Sequence, residues 1–462
     1  MSRIFARLNS RPRLTLLFIS IFVKLVAAGV SGVGFFLASP LFALPGIFLW
    51  LLWFWLLFRI ADKRSDESLL PKQRWMKPAA VALSCLIAVA GVGWVTTVSM
   101  TTADRAASES QDPSEISTAI SELFGYNDAT ALCQQAADNL FEGENPYAHP
   151  NIVTASLKYG GASLKLTPLM RGSFAAVFPY PTQDQLLQVW QQALQNPAQP
   201  PLEIESSLDY PSGSFLLLAP FIAAGITDIR IVYAILLLLA VGYAAWLMPK
   251  YRWLMLATVL LSLEIPNLIL IGETGALQFP FLLLGFLLVR KRLWVSAVLM
   301  GIAISIKQVS WFYMAFYMVM VYKEIGLRRL LQVSCVAVLI FIGFNTPFIA
   351  MDPGLWLSSV LAPMANPMFP IGIGPVSVVT SGIVSFDNRL VFAVLEFVVF
   401  VGSLVWYYRH YRRYAYAGPV LAVLPLFFAW RSMWTYLFFV DLIVFGMLLY
   451  NEYSINRPVE AV

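Results

Sequence analysis

A compact string opens on Asp128 and closes on Gly143-Glu144-Asn145-Pro146-Tyr147, with one helix-length stretch between them. A carboxylate within hydrogen-bond reach of a hydroxyl can take its proton, and such a base speeds a transfer reaction by about 10²–10⁴-fold. An Asp at the head of a helix can equally be its cap, for about 1 kcal/mol. Position alone leaves both roles open. Further along stand Tyr210-Pro211-Ser212-Gly213, Gly272-Glu273 and Lys307-Gln308. Lys307 and Arg431, the latter in Trp430-Arg431-Ser432, are cations suited to a phosphate. Arg431 fits equally well as a snorkelling residue in an aromatic belt.

The elements that must position these residues are membrane helices. The chain of 462 residues is 59 % hydrophobic and 12 % charged, too little charge to wet the surface of a soluble domain of this length. Apolar stretches recur at roughly 13–38, 41–60, 79–100, 229–249, 253–271, 276–289, 293–306, 309–322, 331–349, 390–408, 416–430 and 433–450. The expected fold is an all-α polytopic membrane protein of about 12 transmembrane helices. With both termini in the cytoplasm, the clusters Arg59–Lys77, Lys250/Arg252, Arg290–Arg292, Lys323–Arg329 and Arg409–Arg413 all fall on the cytoplasmic side. The basic residues therefore mark topology, and the net charge of +5 does not argue for nucleic acid. The run 293–322 reads as two short helices meeting near Lys307, and 211–226 as a re-entrant or interfacial piece. Three scattered cysteines, Cys85, Cys133 and Cys335, offer neither a disulfide framework nor a metal site.

Residues 101–210 form a long extracytoplasmic loop with thirteen acids and four bases. A connection of this length is usually functional. Two amphipathic helices are expected in it. One carries Ala129, Leu132, Ala136 and Leu140 on a face; the other carries Leu186, Leu187, Trp190 and Leu194 behind a Thr182 cap and is expected to lie at the interface. A second outer loop, 352–389, is rich in Pro and Gly. The organisation follows as an N-terminal helix pair with its cytoplasmic connection (1–77), a central module holding the long loop (78–330), and C-terminal membrane helices (331–462). At membrane depth, Lys24 is expected to pair with Glu396 or Asp441, and Glu264 with Pro266 to interrupt the fifth helix.

Asp128, the Gly143-to-Tyr147 turn, Tyr210-Pro211, Gly272 and Lys307 occur in an order that resembles the GT-C superfamily of glycosyltransferases, and most of all family 87, polyprenyl-phosphate-mannose-type mannosyltransferases and related arabinosyltransferases. The chain departs from that pattern with Ser212 for a second Pro, Glu273 for Gln, and two extra helices before the acidic loop. The resemblance implies a polyprenyl-phosphate-linked sugar donor, mannose or arabinose, and a hydroxyl acceptor on a glycolipid, a glycan or a protein. It implies Asp128 as general base in a single inverting displacement, since a lipid phosphate leaves without a second carboxylate. Donor or acceptor would then meet Tyr147, His149, Tyr210, Glu273, Lys307, Gln308 and Arg431. His149 suits a donor to phosphate or sugar and equally a plain surface position; Glu273 suits sugar hydroxyls or a second acid. No cofactor is expected, although Asp138, Glu142 and Glu144 leave a divalent metal open. The resemblance implies a site on the outer face of the plasma (inner) membrane.

Two other classes compete. A multi-pass transporter or flippase of lipid-linked sugars shares the helix count, but carriers show two related halves, and the chain has no evident second copy of its first half. A polysaccharide polymerase or ligase shares the large outer loops but depends on outer Arg and His clusters that are sparse in this sequence.

Overall fold

A computed structural model describes residues 13–36, 39–63, 125–161 and 165–455. The third expected span, 79–100, lies outside them. The helices are α1 (Arg13–Phe36), α2 (Pro40–Ala61), α3 (Asp128–Phe141), α4 (Ile152–Tyr159), α5 (Gln183–Gln195), α6 (Gly213–Leu216), α7 (Ala219–Ala223), α8 (Arg230–Leu247), α9 (Arg252–Leu261) and α10 (Glu264–Leu270). They continue as α11 (Gly275–Leu288), α12 (Leu293–Ile306), α13 (Val309–Ile325), α14 (Leu327–Met351), α15 (Pro353–Val360), α16 (Ala362–Ala365), α17 (Ser377–Thr380), α18 (Arg389–Tyr414), α19 (Gly418–Phe427) and α20 (Val440–Ile455). Among the described residues one sheet exists, a parallel ladder of two residues per strand: β1 (Ile371–Gly372) pairs with β2 (Arg431–Ser432).

This is an all-α, membrane-embedded chain. Among the described residues six helices are long and apolar enough to cross a bilayer, and α9 with α10, bent by 64°, makes a seventh if the pair is counted as one span. The expected spans 276–289, 293–306 and 416–430 appear as shorter apolar helices. The long helices α14 and α18 turn large apolar residues outward along their length, among them Leu331, Leu339, Leu390, Phe397 and Val398. In water such a continuous apolar face is costly; in lipid it is the required one. Residues 211–226 form only α6 and α7, too short to cross.

Inside, α12 packs between α11 and α14, and α11 also carries α8 and α20. The α1–α2 hairpin is pinned to this bundle by Lys24, which pairs with Asp441 at 2.5 Å and with Glu264, and donates to the Phe438 carbonyl at 3.0 Å. Asp441 was one of its two expected partners. The other partner is Glu264, at the head of α10, because the break at Ser262–Leu263 turns that carboxylate inward, while Glu396 stays half-buried on α18.

The basic clusters of separate connections meet at one end of the bundle. Arg413 holds Asp62 through Nε at 2.9 Å, Arg290 donates to Glu324 at 2.7 Å, and both Arg290 and Lys63 lie 5.7 Å from the Tyr416 ring. At the opposite end of α11 stand Glu273 and the turn that carries it. Fourteen helical residues, about 21 Å at 1.5 Å each, separate the two ends.

Candidate functional site

The head of α3 is built on the turn between α10 and α11. Asn127 donates its backbone N–H to the Ile271 carbonyl at 3.0 Å, and the Thr130 hydroxyl bonds the Gly272 carbonyl. Gly272 has φ +66°, and a Cβ there would stand 3.2 Å from both Thr130 and Tyr126. Only glycine lets the two segments approach this closely. Tyr126, one residue before Asn127, donates to Asp228 at 2.9 Å and lies under the Arg230 guanidinium at 4.8 Å.

Asn127 is the cap: its Oδ1 accepts the Thr130 N–H at 3.0 Å. Asp128 occupies the first helical position and accepts the Ala129 N–H at 2.7 Å. The half-buried carboxyl is thus free of the capping task. Burial raises its affinity for a proton above that of an ordinary carboxylate, and Glu273 adds to this; Thr167, the Ala129 N–H and Arg431 pull the other way.

Glu273 joins Asp128's segment to Lys307. One carboxylate oxygen accepts the Asn127 side-chain amide at 3.1 Å; the other accepts the Lys307 ammonium. Lys307 also donates to Thr274 at 2.8 Å and lies 5.2 Å and 5.8 Å from the ring centres of Tyr210 and Tyr436. Its backbone is extended (φ −151°, ψ 140°), which breaks the chain between α12 and α13 where two short helices were expected to meet. Gln308 then donates to the Asp209 carbonyl at 2.6 Å and the Val360 carbonyl at 2.7 Å, tying the break to both loops.

Tyr210-Pro211-Ser212-Gly213 packs against that break. A Cβ on Gly213 would stand 2.5 Å from the Ser305 carbonyl oxygen, so the contact needs glycine. The Ser212 N–H donates to Asn345 at 3.1 Å and its hydroxyl to the Phe344 carbonyl at 2.8 Å. A second proline at this position would lack the N–H that makes the first of these bonds. The Tyr147 hydroxyl donates to the Tyr210 carbonyl at 2.9 Å, and its ring lies edge-on to Phe215 and Phe348. Tyr147 and Gln308 therefore act on Tyr210 and its neighbour Asp209 through their backbone carbonyls.

Arg431 reaches the site from β2, held in place by its pairing with Ile371 of the second loop. Its Nη1 is buried and has no hydrogen-bond partner among the described residues. Its charge is felt at Asp128, Asp209 and Tyr180. Lys307 differs, because Glu273 already offsets its charge. Burial, with Glu205 and Asp128 nearby, pushes the Asp209 carboxyl up to about 8, while Lys307 and Arg431 oppose the shift. Burial likewise pushes the Tyr180 phenol up to about 12.

Of the eight residues singled out in sequence, Asp128, Tyr147, Tyr210, Glu273, Lys307, Gln308 and Arg431 come together at this end of the bundle. His149 does not join them; it is exposed on the turn beyond Tyr147. Sequence reasoning missed Asn127, Asp209, Thr274, Tyr180 and Tyr436. Adjacency to Asp128, Tyr210 and Glu273 was a usable signal for Asn127, Asp209 and Thr274, and none existed for Tyr180 and Tyr436. Among the described residues no group of three or more His, Cys, Asp or Glu side chains is arranged to hold a metal ion. Set beside known proteins, the chain matches no family model, no curated protein and no solved structure.

Proposed function

We propose that this chain is an integral-membrane glycosyltransferase of the GT-C type, resembling family 87, with about twelve spans. In this reading it moves a sugar, mannose or arabinose, from a polyprenyl phosphate to a hydroxyl of a glycolipid, glycan or protein. Its termini are cytoplasmic and its site lies on the outer face of the plasma membrane. The observation that carries the reading is Asp128: a carboxyl beside the capping Asn127, near enough to the incompletely partnered Arg431 to feel its charge, at the end of the bundle away from the basic clusters.

The chemistry is one displacement. Asp128 takes the proton of the acceptor hydroxyl as its oxygen bonds to the anomeric carbon. The bond from that carbon to the phosphate oxygen breaks, its electron pair leaves with the phosphate, and the configuration inverts. Arg431 offers the leaving phosphate charge-assisted hydrogen bonds. Lys307, held by Glu273, adds field and orients Tyr210. Native mass spectrometry of the purified protein tests the donor: a retained polyprenyl phosphate, lost in Arg431→Ala, is expected, and bulk phospholipid alone would count against it.

A carrier for the same lipid-linked sugars is the second reading, favoured by one observation. Lys24, Glu264 and Asp441 form an ion cluster at membrane depth beside a helix broken by 64°, a combination common in carriers. Flux of a labelled polyprenyl-phosphate sugar across proteoliposomes without any transfer product would select it.

A further inference from the structure

Four carboxyls, Asp128, Glu205, Asp209 and Glu273, share the site with two cations, Lys307 and Arg431. Three of the four have their oxygens engaged by the protein. Glu273 holds Lys307, Asn127 and the Gly275 N–H. Glu205 accepts the Ser207 N–H at 2.9 Å and the Asn366 amide. Asp128 accepts the Ala129 N–H. The Asp209 side chain has no hydrogen bond or ion pair among the described residues, although its backbone is fixed by Gln308. The half-buried carboxyl sits beside Tyr210, whose ring covers Lys307.

Resting on the glycosyltransferase reading, we propose that Asp209 is a neutral carboxylic acid whose O–H donates a hydrogen bond to a substrate oxygen, a sugar hydroxyl or a phosphate oxygen, beside the ionised base Asp128. No bond to Asp209 forms or breaks; its proton stays on it through the reaction. Charge balance favours this assignment. With Lys307 neutralised by Glu273, a second anion beside Asp128 would compete for Arg431 with an anionic donor. A neutral acid removes that repulsion and adds a donor. The groups that face Asp209 are Glu205 on its own segment, Asp128 and Cys133 on α3, Lys307 at the α12–α13 break, Arg431 on β2 and Tyr436 after it. Burial and the two acids outweigh the two cations, so the carboxyl keeps its proton up to about pH 8.

The test compares Asp128→Asn, Asp209→Asn and Asp209→Ala in proteoliposomes, with a short-chain polyprenyl-phosphate mannose as donor and a membrane lipid extract as acceptor. The wild type is expected to lose transfer as pH rises through about 8. Asp209→Asn, which keeps a donor but cannot titrate, lowers the rate several-fold and loses that alkaline limb; Asp209→Ala lowers it by about 100-fold. An alkaline limb that persists in Asp209→Asn overturns the assignment. Infrared spectra give an arm that needs no activity. At pH 7 a protonated-carboxyl stretch should vanish in Asp209→Asn and remain in Asp128→Asn; a spectrum unchanged by Asp209→Asn overturns the assignment even where a variant is inactive. Full transfer by Asp128→Asn would instead overturn the glycosyltransferase reading itself, so the two failures are distinguishable.

Discussion

Asn127 caps the helix that Asp128 begins, through its Oδ1 and the Thr130 N–H at 3.0 Å. The two neighbours divide the work: Asn127 closes the first turn through the Thr130 N–H, while Asp128 takes from that turn only the adjacent Ala129 N–H. Asn127→Ala should therefore cost about 1 kcal/mol of stability and also lower transfer, since its amide ties α3 to Glu273. Asp128→Asn should leave the melting temperature unchanged or raised, because a buried amide is less costly than a buried carboxylate. Thermal unfolding in detergent measures both.

Lys307 and Glu273 are a buried pair, and breaking it from one side strands a charge. Glu273→Gln should destabilise by about 3–5 kcal/mol, and the double variant Glu273→Gln with Lys307→Met should recover most of that. Unfolding midpoints of the three variants check the cycle. A Glu273→Gln protein as stable as wild type would mean that the pair is not the clamp described above.

Arg431 is expected to act on donor affinity with little effect on the fold. Losing a charge-assisted hydrogen bond costs about 1.5–3 kcal/mol, or roughly 10- to 150-fold. Arg431→Ala should weaken donor binding by that factor, and Arg431→Lys should recover only part of it, because an ammonium lacks the planar fork. Titration of the donor by native mass spectrometry reads the difference.

Gly272→Ala places a Cβ at φ +66° and 3.2 Å from Thr130 and Tyr126. Stability should fall by more than 1 kcal/mol, and transfer should fall further still, because the displaced segment carries Asp128. Comparing the loss of kcat with the loss of unfolding midpoint separates misplacement from unfolding.

The pH profile should also have an acid limb. A base works only when ionised, and burial with Glu273 raises the Asp128 carboxyl above the ordinary value of about 3.9. Transfer should therefore fail as pH drops through a value higher than that of an ordinary Asp. Asp128→Glu, if active, should shift that limb; a rate flat from pH 7 down to 4 would exclude Asp128 as the base.

Much of this was legible in the sequence, for identifiable reasons. Apolar periodicity located α8, α12, α14 and α18 to within a few residues at most of their ends, and the Thr182 cap of α5 is present as a full capping box with Gln185. The buried face of α5 is Leu186, Val189, Trp190 and Ala193, so Leu187 and Leu194 sit at its margin. A strip of leucines overweights the edges of a helix face, whereas packing follows its centre. The short motifs marked the site because each is a backbone device: a glycine at positive φ, a helix break at Lys307, a close approach at Gly213. Of the pairings, Lys24 with Asp441 was expected and is present; the others were not legible. Nothing local in the chain joins Lys24 to Glu264, 240 residues later, or Asn127 to Glu273. The engagement of Lys307 by Glu273 depends on the fold and on nothing that spacing can reveal.

Whether Asp128 is the base is decided by transfer of labelled mannose from a short-chain polyprenyl phosphate by purified Asp128→Asn, beside wild type in the same proteoliposomes. A loss of about 100-fold or more is expected, with the melting temperature and the bound donor lipid retained. Transfer near the wild-type rate by a folded, lipid-loaded Asp128→Asn protein would contradict it.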